Sequence, residues 1–210
     1  MPRTEPFDKF SGDYDAWFEK HPEIYAAEID AIRRLLPPFE NGIEIGVGSG
    51  RFATPFGIKE GIEPSGKMAE IARSRGIHTI KGVAEALPLA DASHDLVLMV
   101  TTICFVDDVL QSLKEINRIL QPGGSVIIGF VDRVSKIGQY YVQHRNESRF
   151  YASATFYSAQ EVRRLLEAAG FSDVSCVQTL FGSSLQDAGT SVEEGSGSGG
   201  FVVMRGEKRA

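Results

Sequence analysis

This sequence of 210 residues has little of what several classes of protein need. It contains two cysteines and four histidines, and no group of His, Cys, Asp and Glu has the spacing of a metal site. Cys104 and Cys176 lie in strand-like segments and make no disulfide framework, so we expect a reduced, cytoplasmic protein. A Walker glycine–lysine loop is also missing. We therefore predict no metal and no phosphate loop of that type.

Basic charge and long apolar runs are scarce as well. The net charge of -6 gives no strong nucleic-acid signature, although the arginines between residues 133 and 149 are a local exception. The longest apolar stretch, residues 96–106, contains two threonines and is too short to span a bilayer. The first residues, MPRTE, are not followed by the apolar region of a signal peptide. We expect no membrane association, and the sequence does not encode an oligomeric state.

Strand-like and helix-like segments alternate along the chain, which indicates an α/β fold with a largely parallel sheet. The apolar fraction of 42% is ordinary for one well-buried domain of this length. Predicted strands cover residues 43–47, 59–62, 77–81, 96–103, 125–131, 174–180 and 201–205, with a polar, glycine-rich loop at 193–200. Predicted helices cover residues 22–36, 66–75, 108–120 and 159–169, and the His21, His78 and His94 side chains are expected at exposed element edges.

The most informative segment is EIGVGSG at residues 44–50, which closes the first strand. Glycine permits sharp turns and lets a ligand approach the backbone. The second strand ends in Glu63-Pro64, and a carboxylate at that place can accept both hydroxyls of a ribose. Together these features predict a nucleoside-type cofactor across the carboxyl ends of a parallel sheet.

Spacing alone leaves the kind of nucleoside open. Gly48, Gly50 and Ala53 satisfy the dinucleotide fingerprint, so an NAD-dependent oxidoreductase is one alternative. A pyrophosphate needs bare backbone amides, and Glu44 at the start of the loop would repel it. S-adenosylmethionine (SAM) carries a sulfonium and an ammonium, which suit an acidic neighbour. Charge therefore favours SAM.

Five segments, from about residue 40 to residue 132, resemble the class I SAM-dependent methyltransferases in their order. They are EIGVGSGRF at 44–52, IEPS at 62–65, KGVAEALPL at 81–89, DLVLMVTT at 95–102, and 113–124 with its closing PGG. The closest resemblance is to the type 11 group, which includes enzymes of ubiquinone and menaquinone biosynthesis. It implies a Rossmann-like, doubly wound, seven-stranded, mostly parallel sheet with an antiparallel final strand and an N-terminal helical cap.

The resemblance also implies one domain over residues 1–210 and a role for each part. Residues 1–38 would be a cap or lid, 39–132 the SAM-binding half, 133–157 a substrate-facing excursion, and 158–210 a C-terminal helix and strand hairpin. The expected reaction is in-line methyl transfer from SAM to a small molecule, with S-adenosylhomocysteine (SAH) as product. A SAM-binding regulator without transfer activity is a second alternative.

In this resemblance Glu63 accepts the ribose hydroxyls, and Glu44 orients the loop or receives the cofactor ammonium. The expected cofactor-binding residues are Glu44, Gly46, Gly48, Gly50, Glu63, Pro64, Ala84, Glu85, Thr101 and Tyr14. Two departures stand out. Val83 occupies a position where many relatives carry aspartate, so adenine recognition would fall to backbone near Ala84. Only twelve residues separate Gly50 from Glu63, which predicts a helix of one or two turns at 51–56.

No catalytic motif is visible, and methyl transfer requires none when the nucleophile arrives without its proton. The excursion is rich in aromatic and basic side chains and includes His144, which we take as the candidate general base. The alternative for this segment is a solvated helix whose aromatic side chains cover the core.

Overall fold

The computed structural model of the chain describes residues 4–209. The α-helices are α1 (Glu5–Lys9), α2 (Ser11–Lys20), α3 (Pro22–Leu35), α4 (Gly66–Ser74), α5 (Val109–Ile119), α6 (Lys136–His144) and α7 (Ala159–Ala168). Short 3-10 helices cover Thr54–Phe56 and Arg145–Glu147. The strands are β1 (Gly42–Ile45), β2 (Glu60–Ile62), β3 (His78–Ile80), β4 (His94–Val100), β5 (Leu120–Val131), β6 (Phe171–Phe181), β7 (Glu193–Glu194) and β8 (Gly199–Lys208).

The strands form one sheet in the order β3-β2-β1-β4-β5-β8-β6-β7. Strands β1 to β5 are parallel, whereas β8 runs antiparallel to both β5 and β6. This arrangement confirms the Rossmann-like fold with an antiparallel final strand. The eighth strand, β7, is an addition: two residues of the predicted 193–200 loop pair with Val177 and Gln178 of β6.

Central strand β4 shows why the sheet is covered on both faces. Its side chains are almost all buried, and they alternate between two hydrophobic layers. Val97 and Met99 pack in the layer that contains α5 and α7, while Leu96 and Leu98 pack in the layer that contains α3. A strand buried on both faces needs a continuous apolar run, as this one has.

Helix starts follow the caps that the sequence predicts. Ser65 accepts a hydrogen bond from the Met68 N–H, and Asp108 accepts one from the Gln111 N–H. Ser158 and Glu161 form a complete capping box at the start of α7. These caps satisfy amide groups that an isolated helix end leaves unpaired.

The connection from β1 to β2 is as short as predicted, because a single 3-10 turn at Thr54–Phe56 replaces a crossover α-helix. Gly57 ends that turn with a φ of 74°. The N-terminal helices cover this part of the molecule instead: Phe18 of α2 and Tyr25 of α3 both make edge contacts with Phe52 of the connection. The N-terminal helical cap therefore packs against the loop that follows β1.

The prediction that His94 is exposed was wrong. Its side chain is buried, its Nδ1 lies 2.9 Å from the Ser93 hydroxyl, and its Nε2 lies 3.2 Å from Glu60. His78 is exposed as expected and His21 is half-buried. Over residues 4–209, no helix is long and apolar enough to cross a membrane, and the cytoplasmic location stays a prediction. The same residues contain no group of side chains suited to a metal ion.

Candidate cofactor and acceptor site

A cavity of about 300 Å³ lies at the carboxyl ends of β1 to β4. Nine of the ten predicted cofactor residues line it: Tyr14, Glu44, Gly46, Gly48, Glu63, Pro64, Ala84, Glu85 and Thr101. The tenth, Gly50, does not reach the cavity. With a φ of 83° and the Ile77 side chain 2.5 Å from where a Cβ would stand, Gly50 instead allows the loop to pack.

Gly46 and Gly48 shape the floor of the cavity. Both have positive φ, and a Cβ on Gly46 would lie 2.4 Å from the Thr102 side chain. The Gly46 and Val47 amides both donate to the Ile62 carbonyl, which draws the loop against the end of β2. The loop therefore presents bare backbone to a ligand.

Glu63 joins the loop to the second strand. Its Oε2 accepts a hydrogen bond of 2.7 Å from the Gly48 amide, and its Oε1 accepts one of 2.8 Å from the Ser65 amide. Burial raises the pKa of Glu63 to about 7, against the lowering effect of these two bonds. A carboxylate has about four acceptor positions, so about two remain for a diol in the cavity.

Glu44 carries an unsatisfied oxygen at the same floor. The residue is 1% exposed, and its Oε2 has no hydrogen-bond partner within residues 4–209. Burial raises its pKa well above the usual value, and the nearby charge of Glu63 adds to that effect. Because a buried, unpaired carboxyl oxygen is costly, this position fits a ligand that brings a cation or a donor. The ammonium of SAM is such a group.

The far end of the cavity is apolar where adenine is expected. Val83, Ala84 and Val106 line it. Glu85 faces the loop before α5, where its Oε1 accepts hydrogen bonds from the Asp107 and Asp108 amides at 2.7 and 3.3 Å. Glu85 thus closes the cavity by holding two loops together.

Thr101 and Tyr14 meet at the mouth of β4. Thr101 has a φ of 49°, which is uncommon for a residue other than glycine, and its amide donates to the Gly129 carbonyl at 2.8 Å. The Tyr14 phenol is hydrogen-bonded to Thr101, and burial raises its pKa, so it is neutral. Helix α2 therefore contributes a wall of the cavity.

Two aspartates, one on α2 and one on α1, anchor the N-terminal helices to the cofactor loops. Asp15 of α2 accepts two hydrogen bonds of 2.9 Å from Arg51 and one of 2.7 Å from Arg75. Burial opposes ionisation of Asp15, but these arginines lower its pKa. Asp8 of α1 accepts a hydrogen bond of 2.6 Å from the Ser65 hydroxyl. Sequence reasoning missed Asp15 and Asp8, since no spacing links them to residues 50–75.

A second cavity, of about 110 Å³, adjoins the first. Both cavities are lined by Tyr14, Phe18, Phe52 and Thr101. Three aromatic residues of the predicted excursion also line the second cavity: Tyr141, Phe150 and Tyr151. Trp17 of α2 and Glu28 of α3 also line this cavity.

Glu28 is a residue that sequence reasoning missed, although a signal was present. Ile24, Glu28 and Ile32 follow one another at intervals of four, so the carboxylate stands on the buried face of α3. Glu28 is 7% exposed, and burial raises its pKa to about 8. A carboxylate on an apolar helix stripe is a direct indication of a polar site.

His144 lies elsewhere. Its ring stacks on Tyr140 at 4.1 Å, and its Nδ1 is 3.0 Å from the Tyr140 carbonyl oxygen. It lines neither of the two cavities described above. Its role as a base stays a prediction.

Comparison with known proteins gives the family. The family model of the type 11 methyltransferase domain matches residues 43–128. A SAM-dependent methyltransferase of Thermotoga maritima, described as a possible histamine N-methyltransferase, is 50% identical with a TM-score of 0.93, and the match covers 98% of this chain and 100% of that one. The chain belongs to the class I SAM-dependent methyltransferases.

Two further relatives of this methyltransferase are similar to it in sequence. An uncharacterized protein of Methanocaldococcus jannaschii is 42% identical over 96% of this chain and 98% of its own length. A demethylmenaquinone methyltransferase of Staphylococcus aureus is 28% identical over 57% of this chain and 60% of its own length. The predicted type 11 group is confirmed, and the family gives no support to the NAD-dependent alternative.

Proposed function

We propose that this methyltransferase transfers the methyl group of SAM to a small molecule held in the second cavity. The observation that supports the proposal is that Tyr14 and Thr101 line both cavities, so the two spaces adjoin there. One cavity has the backbone floor and carboxylates suited to SAM, and the other is mainly aromatic and close to the size that holds a benzene-sized molecule. An acceptor there would lie beside the cofactor.

Each part of the chain then has a defined task. Glu63 holds the ribose, Glu44 meets the ammonium, and the glycine loop lets the cofactor lie against the backbone. When SAM is bound, its sulfonium supplies an activated methyl group, and the electron pair of the broken C–S bond stays on sulfur to give SAH. The aromatic walls exclude water and orient the acceptor, and orientation alone can contribute roughly 7–11 kcal/mol to such a reaction.

The experiment has two stages. Thermal-shift titration with SAM, SAH and NADH tests the cofactor, and we expect stabilisation by SAM and SAH only. A SAH-release assay with amine, carboxylate, phenol and thiol acceptors then tests transfer. Amines come first, because the Thermotoga relative is described as a possible histamine N-methyltransferase. Binding of SAM without transfer to any acceptor class would favour the regulator alternative.

A further inference from the structure

We propose that the acceptor is a small amine that enters as an ammonium ion and pairs with Glu28 in the second cavity. This inference rests on the proposed function and adds the substrate class and its recognising residue. The geometry points to it through a buried carboxylate that lines a mainly aromatic and aliphatic space.

Glu28 has the surroundings of a binding residue. Within residues 4–209 its carboxylate has no hydrogen-bond or ion-pair partner, and burial is the sole cause of its raised pKa. Structural carboxylates in this chain are different: Glu85 and Glu115 each accept backbone amides. A buried carboxylate without a partner lowers stability, so a ligand that supplies a cation offsets the cost.

Among the groups that line the second cavity, Glu28 is the one available to pair with a cation. Asp13 also lines it, but its side chain is 65% exposed and is paired with Arg149 at 3.1 Å. Burial raises the pKa of Tyr141 to about 12 and also raises the pKa values of Tyr14 and Tyr151, so these phenols are neutral. No arginine or lysine lines the cavity among the described residues, which disfavours an anionic acceptor.

The aromatic walls suit the same ligand. Tyr141 and Tyr151 meet edge to face with ring centroids 5.2 Å apart, and Trp17 lines the same space. Aromatic faces attract ammonium ions, most strongly where water is excluded. The cavity therefore combines a buried carboxyl group with several rings, an arrangement suited to a small cation.

The chemistry balances with Glu28 as the proton acceptor. An ammonium nitrogen has no lone pair, so it must first lose one proton, and the Glu28 carboxylate takes that proton. The freed lone pair then forms the new N–C bond to the methyl group, whose bond to sulfur breaks with the electron pair left on sulfur. The product is an N-methylated ammonium ion, and Glu28 passes the proton that it accepted to water, which restores the carboxylate for the next turnover. An ammonium ion beside Glu28 favours the ionised form of its carboxyl group, so the carboxylate is available as the proton acceptor.

The test measures binding in the presence of saturating SAH, so that no reaction occurs. Isothermal titration compares benzylamine, 2-phenylethylamine and histamine with the uncharged benzyl alcohol and the anionic phenylacetate. We expect at least one of the amines to bind at least tenfold more tightly than both controls. Tighter binding of phenylacetate, or no binding of any amine while SAH binds, would overturn the amine proposal and leave the methyltransferase proposal intact. Failure to bind SAH would remove both.

Variants then test Glu28 itself. Glu28→Gln keeps the shape of the side chain, and we expect at least a tenfold loss of amine affinity with SAH affinity within twofold of the wild type. Glu23→Gln, an exposed change on the same helix, should alter neither affinity. Unchanged amine binding by Glu28→Gln would assign recognition to another group. If Glu28→Gln does not fold, the comparison of the amines with benzyl alcohol and phenylacetate on the wild-type protein still tests the proposal.

Discussion

The two adjoining cavities are built in different ways. The cofactor cavity takes most of its lining from short segments that directly follow β1 to β4, and Glu63 is bound there by two backbone amides. The second cavity combines side chains from α2, α3, the excursion and the segments around β6 and β8, and its carboxylate Glu28 has no such support. In the cofactor cavity Glu63 is positioned before a ligand arrives, whereas Glu28 of the second cavity has no hydrogen-bond or ion-pair partner among residues 4–209 to position it.

The difference corresponds to the two ligands of the proposal, a cofactor that the whole family shares and an acceptor specific to this protein. A cofactor common to a whole family can be held by backbone and by residues at fixed spacing, as EIGVGSG and Glu63 illustrate. An acceptor is recognised by side chains from segments distant in sequence. The following substitutions test whether the two cavities are separable in this way.

The largest effect is expected from Glu63→Ala. The change removes the proposed ribose acceptor and leaves the Gly48 and Ser65 amides without their Glu63 partner. Since each hydrogen bond to a charged group contributes about 1.5–3 kcal/mol, we expect SAM affinity to fall by about 100-fold or more. Calorimetric titration with SAH measures it, with Glu70→Ala on the exposed face of α4 as the matched control. Affinity within threefold of the wild type would remove Glu63 from the site.

A smaller effect, on stability, is expected at Glu28. Burial raises its pKa in the folded protein to about 8, so the folded state binds this proton more tightly than the unfolded state does. The stabilisation that results is complete below the unfolded pKa of Glu28 and is lost as the pH rises through about 8. From pH 6 to pH 8 the wild type should lose about 2 kcal/mol more than Glu28→Gln. The same effects of Glu44 and Glu63 cancel in this difference, and neighbouring Tyr14, Tyr141 and Tyr151 stay neutral. Urea unfolding at both pH values measures it, and parallel pH profiles would show that Glu28 does not titrate in this range.

Next in size is Asp15→Asn, which weakens the anchor of α2 while leaving the cavity floor intact. Arg51 would keep Glu19, at 2.9 Å, as its acidic partner. Loss of a largely buried charge partner should reduce SAH affinity by about tenfold. Hydrogen exchange over residues 4–20 should also accelerate, and Asp30→Asn in an exposed pair with Arg33 should change neither measurement. Unaltered exchange would mean that the aromatic contacts alone hold the cap.

The smallest effect is expected from His144→Ala. Because the ring stacks on Tyr140 and lines neither of the two cavities, turnover should stay within about twofold of the wild type. A larger fall in turnover with unchanged SAH affinity would support His144 as the general base that the sequence suggested. The measurement is the steady-state rate of SAH release with the acceptor that the panel identifies.

The parts that could be predicted depend on neighbours in sequence. The mostly parallel sheet with its antiparallel final strand and the short connection after Gly50 were predicted, whereas the cofactor role of the nine residues at the first cavity stays a prediction. The apolar stripe of α3 places Glu28 on a buried face, but the lining of its cavity comes from segments far away along the chain. Asp15 and His94 could not be placed, because their charged partners are also distant in sequence. A histidine at the start of a strand looks exposed until Glu60 of β2, two strands away in the sheet, is known to lie 3.2 Å from it. Strand β7 was missed for the same reason, since two glutamates in a glycine-rich loop carry no strand pattern.

The direction of β8 has a practical consequence for handling the protein. It runs antiparallel to β5, so Lys208 lies beside the start of β5, where its ammonium donates to the Leu120 carbonyl at 2.7 Å. Both cavities lie at the opposite ends of these strands, and residues from Thr4 to Phe18 form part of their walls. Surface attachment or a reporter fused after Lys208 should therefore leave ligand access free, whereas the same addition close to Thr4 would disturb the measurement it was meant to serve.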